Sequence, residues 1–218
     1  MSLSRAHSFW LMCLIAIILP LFPYVHWPFT WMMTFFHEIS HGLAAIFSGG
    51  KILYMQMHIN GAGLCVTLGG YNILIMLSGY LGAVLWGVLI FEFARLKAAI
   101  WFYVFSIFLY GILIATLALW AKGVVTYMII FILLLFMVFV AQYQKNNATS
   151  YLAKFMGLFI VLDAIKAPFY LLDGKHVGDA ASLSDITNIP EYGWVMMWVG
   201  FGVAALIFMY KNHIKMPT

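Results

Sequence analysis

The chain has 218 residues, of which 65% are hydrophobic and only 8% charged, with a net charge of +4. A soluble domain carries about 25% charged residues and 45–50% apolar ones, so this composition excludes a soluble globule and a disordered tail. Eleven Lys and Arg are spread thinly, with no basic run to track a phosphate backbone, which excludes nucleic acid as a partner.

An integral, multi-pass membrane protein remains, with the bilayer as its surroundings. At about 20 apolar residues per crossing, the length predicts six or seven spans in one domain covering 1–218. Taken in chain order, apolar stretches predict helices near 9–25, 30–48, 71–93, 98–120, 123–141, 151–171 and 194–210. The first resembles a secretory signal in having Arg5 and His7 ahead of an apolar run. No small-residue cleavage site follows, and Pro20 and Pro23 interrupt it, so it reads as a retained span. Two breaks are long. The first, 49–70, is rich in β-formers at 52–59 and 64–68, with Asn60-Gly61 between them, and predicts a hairpin near 51–68. The second, 173–193, holds four of the seven acidic residues: Asp173, Asp179, Asp185 and Glu191. An Asp at 179 predicts the cap of a short helix over 180–186, closed by Pro190. The expected fold class is therefore an all-α polytopic membrane protein with one membrane-associated β-hairpin. With seven spans, Arg5, Lys51, Lys122 and Lys175 share one side. Arg95, Lys97, Lys145, Lys154, Lys211 and Lys215 share the other, a six-to-four balance that favours a cytoplasmic C-terminus.

The chemistry concentrates in Phe35-Phe36-His37-Glu38-Ile39-Ser40-His41-Gly42. His37 and His41 stand at i and i+4, on one face of a helix and about one turn apart. That spacing suits two imidazoles on one zinc ion, with Glu38 beside them as general base toward water. Ionisable groups are costly in an apolar span, and three together call for a function. Cys13 reads as a buried small hydrophobe. Two cysteines form neither a disulfide framework nor a metal-binding CxxC pair. His58 and His176 read as solvated or interfacial, Trp194 and Trp198 as interfacial anchors, and Gly79 with 82–87 as close helix packing.

HEISHGLAAIFSGGKI, the hairpin ending in Gly-Gly and the following LSGYLGAVLWG resemble the intramembrane zinc metalloproteases of the site-2 protease superfamily, especially compact relatives without a PDZ domain. GDAASLSDITNIPEYGW is similar to a C-terminal signature of those relatives, with Gly178 in place of their usual Ser. The likeness covers roughly 35–90 and 150–210. It implies zinc as the cofactor and a membrane protein as the substrate.

A catalytic zinc needs a third protein ligand and one open position. Three aspartates compete. Asp163 lies inside an apolar span, where a lone acid invites a functional reading, but Lys166 stands at i+3. Asp173, in LLDGKH, resembles the LDGGH around the third ligand of site-2 proteases, and also reads as a turn residue before Gly174. Asp179 matches the Asp-Ala pair of the compact relatives, provided its segment folds back into the membrane around a watery cavity. The expected metal set is His37, His41 and Asp179, with Glu38 catalytic. The surroundings of Ser78 and Gly178-Asp179 lack the GxSG and GxGD patterns of serine and aspartyl intramembrane proteases. The leading reading is an intramembrane zinc metalloprotease, in the inner membrane if the source is bacterial. The rival is a non-catalytic zinc-binding scaffold that kept the fold, with a transporter third. The hairpin is expected either to clamp an unwound substrate along a free strand edge or to plug the site.

Overall fold

The computed structural model describes residues 4–22, 24–96, 99–142 and 147–215. Its elements in chain order are α1 (Arg5–Ile18), α2 (Trp27–Phe47), β1 (Lys51–Met57), β2 (Gly63–Leu68), α3 (Asn72–Arg95), α4 (Ala99–Leu119), α5 (Val124–Gln142), α6 (Asn147–Lys166), α7 (Asp179–Thr187) and α8 (Glu191–Ile214). Short 3-10 turns extend α1 over Leu19–Leu21 and α6 over Ala167–Leu172, each with a proline in its first two positions. The rings of Pro20 and Pro168 remove an N–H that the α-helical ladder would need, so the helix tightens there instead of continuing.

Among the described residues, five helices are long and apolar enough to cross a membrane: Asn72–Arg95, Ile100–Leu119, Val124–Gln142, Thr149–Leu172 and Glu191–Ile214. The expected all-α polytopic class with one hairpin holds. α2, at 21 residues, has spanning length but carries the polar group described below. α1 with its extension covers Arg5–Leu21, about 25 Å at 1.5 Å per residue, which is short of a 30 Å hydrocarbon core.

The N-terminal end of α1 lies beside the C-terminal end of α8, where Ser8 Oγ meets His213 Nε2 at 3.1 Å and Phe9 packs on Phe91 of α3. Its far end, at Ala16, Ile17 and Pro20, faces Phe159, Leu162, Asp163 and Lys166 of α6. Phe29 of α2 then packs back on Phe155 and Phe159, so the chain turns back along α6 before α2 begins. This corrects the charge grouping expected from seven spans. Arg5 lies at the end that holds Arg95, Lys154, Lys211 and Lys215, as the Ser8–His213 contact requires; Lys97 and Lys145 lie outside the described residues.

The bundle core is α3 against α2 and α6. Glycines let the backbones approach: a Cβ on Gly87 would lie 2.8 Å from the Gly157 carbonyl oxygen of α6. The hairpin is antiparallel, with Met55 opposite Cys65 and an irregularity between Ile52 and Tyr54. Its turn is wider than the two residues Asn60-Gly61. His58 N–H donates to Ala62 O at 2.9 Å, and Asn60 Oδ1 accepts from Ala62 N–H at 3.1 Å. β1 is also occupied on its outer edge. Met55 N–H donates to Trp120 O and Lys122 N–H to Met55 O, while Met57 N–H donates to Thr126 Oγ1. Of the two strands, β2 has the edge turned toward α2.

Candidate metal centre

On α2, His37 and His41 share one face and Glu38 follows the first, as the helical period requires. α3 runs antiparallel to α2, tied by Trp86 Nε1 donating to Ser40 Oγ at 3.2 Å and by Tyr71 N–H donating to Ser48 Oγ at 2.9 Å. α7 packs on α3 and α8 and brings Asp179 to the histidines.

The two Nε2 atoms are 3.0 Å apart, and Asp179 Oδ2 lies 3.2 Å from that of His37 and 3.3 Å from that of His41. Four ligands held tetrahedrally at 2.0–2.1 Å from a zinc ion are about 3.3 Å from one another. The three atoms thus stand close to the spacing of one face of such a tetrahedron. His41 Nδ1 donates to Ile75 O at 2.6 Å. That bond fixes the ring proton on Nδ1 and leaves the Nε2 lone pair facing the centre, which is how metal-bound imidazoles are commonly oriented. Two nitrogens and one carboxylate are a donor set suited to zinc. The residues therefore fit the ion.

Glu38 is 6% exposed, and its carboxylate lies beside the backbone of Cys65 on β2. Gly63 on the same strand leaves room for it, since a Cβ there would lie 2.5 Å from Glu38 Oε1. The hairpin therefore orients the acid beside the histidines.

Of the three competing aspartates, only Asp179 reaches the pair. Asp163 Oδ1 sits 3.0 Å from Lys166 Nζ, and Asp173 bonds to Lys175 through both its N–H and its Nζ, each at 2.9 Å. The Lys175 N–H and ammonium hold the Asp173 carboxyl below its usual range. Asp179 is the first residue of α7 and not its cap. Gly178, with φ of 99°, turns the chain before it, and no side chain caps the helix. The expected capping role fails because the carboxylate points to the histidines. His176, outside the group, bonds to Glu191 and Asp185, which raise its pKa.

Two parts of the centre escaped the sequence reading. Trp198 is buried at 1% exposure and not interfacial. It packs 4.9 Å from the Tyr80 ring, which in turn stands edge-on to His37 at 4.4 Å. The Ile75 carbonyl that orients His41 is backbone and carries no residue-type signal. Gly79 was legible only as a packing glycine. A Cβ at that position would lie 2.5–2.6 Å from the rings of His37 and His41. Gly79→Ala is expected to displace those rings, to lower bound zinc several-fold and to cost about 1–3 kcal/mol of stability by overpacking. Gly111→Ala, where nothing lies within 4 Å of the added carbon, is expected to change neither. Metal analysis beside thermal melts checks both; full zinc occupancy in Gly79→Ala would refute the assignment of this face.

A family model described as Peptidase M50B-like matches residues 10–209. No curated protein and no solved structure matches the chain.

Proposed function

Because the chain belongs to the Peptidase M50B-like family, a site-2 protease-like group of membrane metallopeptidases, we propose that it is an intramembrane zinc metalloprotease that hydrolyses peptide bonds of a membrane-embedded protein. The observation that carries this reading is the convergence of His37, His41 and Asp179 beside the carboxylate of Glu38 within apolar helices. His37, His41 and Asp179 would hold zinc. When bound, the ion supplies a Lewis acid that polarises the scissile carbonyl and acidifies water. Glu38 takes a proton from the attacking water as oxygen adds to the carbonyl carbon. It then passes the proton to the departing amine as the C–N bond breaks. The β2 backbone at Gly63 and Cys65, close against the carboxylate, keeps it aimed during both transfers.

A substrate helix hides its peptide bonds in its own hydrogen bonds and must unwind to be cut. Unwound backbone in lipid needs partners for its N–H and C=O groups. The β2 edge runs past Glu38, whereas the outer edge of β1 is already paired. We assign β2 as the strand to which substrate adds.

The test is cleavage of a transmembrane reporter by protein in vesicles. Glu38→Gln is expected to reduce the rate about 10²–10⁴-fold, the usual worth of a general base. Prolines placed singly along 63–68 are expected to lower it at alternate positions, with zinc content intact. Cleavage that survives Glu38→Gln would overturn the protease reading. Cleavage indifferent to every proline would remove the clamp and leave the hairpin as a plug.

A further inference from the structure

The other end of the bundle holds a second polar cluster that the proposed proteolysis does not use. It lies where the start of α1, the end of α3, the first turns of α6 and the end of α8 meet. Lys154 of α6 is only 8% exposed. Its ammonium lies 4.9 Å from the Tyr151 ring, and among the described residues no carboxylate comes within 4 Å of it. Glu92, the one acid nearby among the described residues, is taken: Arg95 Nη2 donates to it at 2.6 Å and Asn212 Nδ2 at 3.1 Å. The charges that act on Lys154 are Arg95 and Arg5, both positive. His213 is 2% exposed and feels the same two arginines and Lys154. Its Nε2 meets Ser8 Oγ at 3.1 Å, and among the described residues its buried Nδ1 has no hydrogen-bond partner.

A buried ammonium without a counterion is costly, and like charges around it raise that cost. An orphaned buried imidazole nitrogen adds to it. The fold keeps these groups together beside the start of α1, where Ser8 meets His213. An anion bridging them would offset every one of these terms at once. Phosphate suits the set, because its several oxygens accept from guanidinium, ammonium and imidazole donors together.

We propose that Arg5, Lys154 and His213 form a phosphate site for the headgroup of an anionic phospholipid. Its place favours the lipid, since it sits at the ends of membrane-spanning helices, where headgroups lie. Between α1 and α6, eight residues or about 12 Å further along α6 at Leu162, a cavity of about 200 Å³ opens. It is lined by Ala16, Ile17, Pro20, Phe159, Leu162 and the ion-paired Asp163 and Lys166, and its mostly apolar wall suits an acyl chain. This proposal does not depend on the protease reading.

The experiment measures lipid retention by native mass spectrometry, with thermal melts, on whole protein. The protein is taken from vesicles of phosphatidylcholine alone or mixed with phosphatidylglycerol. Wild type should retain phosphatidylglycerol selectively and melt higher with it. Arg5→Gln, a half-buried position at a helix start that tolerates change, and Lys154→Met should each weaken retention roughly tenfold, the effect of losing one charge-assisted hydrogen bond. Lys154→Arg should keep it. Lys211→Gln and Lys215→Gln, exposed cations at the same end, should leave it unchanged. Retention that falls equally in those two, or in none of the variants, would overturn the site. Equal protection of detergent-solubilised protein by inorganic phosphate alone would overturn the lipid assignment and identify a free anion as the ligand.

Discussion

Purified wild-type protein is expected to carry about one zinc ion per chain, and His41→Ala to lose most of it. His41 contributes more than a nitrogen. Its Nδ1 bond to Ile75 O holds the ring at the one orientation that faces both His37 and Asp179. Loss of an outer hydrogen bond to a metal ligand typically costs 10–100-fold in metal affinity, so loss of the ligand itself should cost at least that. Glu38→Gln separates binding from chemistry. Glu38 is not one of the three clustered ligands, so the amide is expected to keep the ion while cleavage collapses. Zinc content by atomic emission, measured on wild type, His41→Ala and Glu38→Gln in parallel, reads the outcome. A wild type that is metal-free after gentle purification and takes up no zinc when offered would end the metalloprotease reading.

Asp179→Ala is expected to weaken zinc binding far more than Asp163→Ala or Asp173→Ala. The argument is positional. Asp179 Oδ2 completes a triangle with sides of 3.0–3.3 Å, while the other two carboxylates are engaged with Lys166 and Lys175. Removing Asp179 leaves two neutral imidazoles, a poor site for a dication. Removing Asp163 or Asp173 leaves the set untouched. Competitive titration with a zinc-sensitive dye ranks the three. Release of the metal by Asp163→Ala alone would show that depth in the membrane, and not the α7 position, selects the ligand.

Composition was enough to declare a membrane protein, because apolar helices need no tertiary partner to be recognised in lipid: their backbone bonds are satisfied internally. The histidine pair and its glutamate were legible for a related reason, since i to i+4 spacing on a helix is a local property. The hairpin at Asn60-Gly61 is local too. α1 shows where this stops. Its apolar run looks like a span, yet whether it crosses depends on Pro20, on its packing against α6 and on the return of α2 beside it, and these contacts are distant in sequence. The same holds for the third ligand. Asp163, Asp173 and Asp179 each sit in plausible local chemistry. Only the turn at Gly178 and the packing of α7 on α3 and α8 bring one of them, some 140 residues along the chain, to the histidines. Gly79 and the Ile75 carbonyl belong to the centre for the same reason. A close approach and a backbone acceptor are properties of two helices meeting, and neither helix carries them alone.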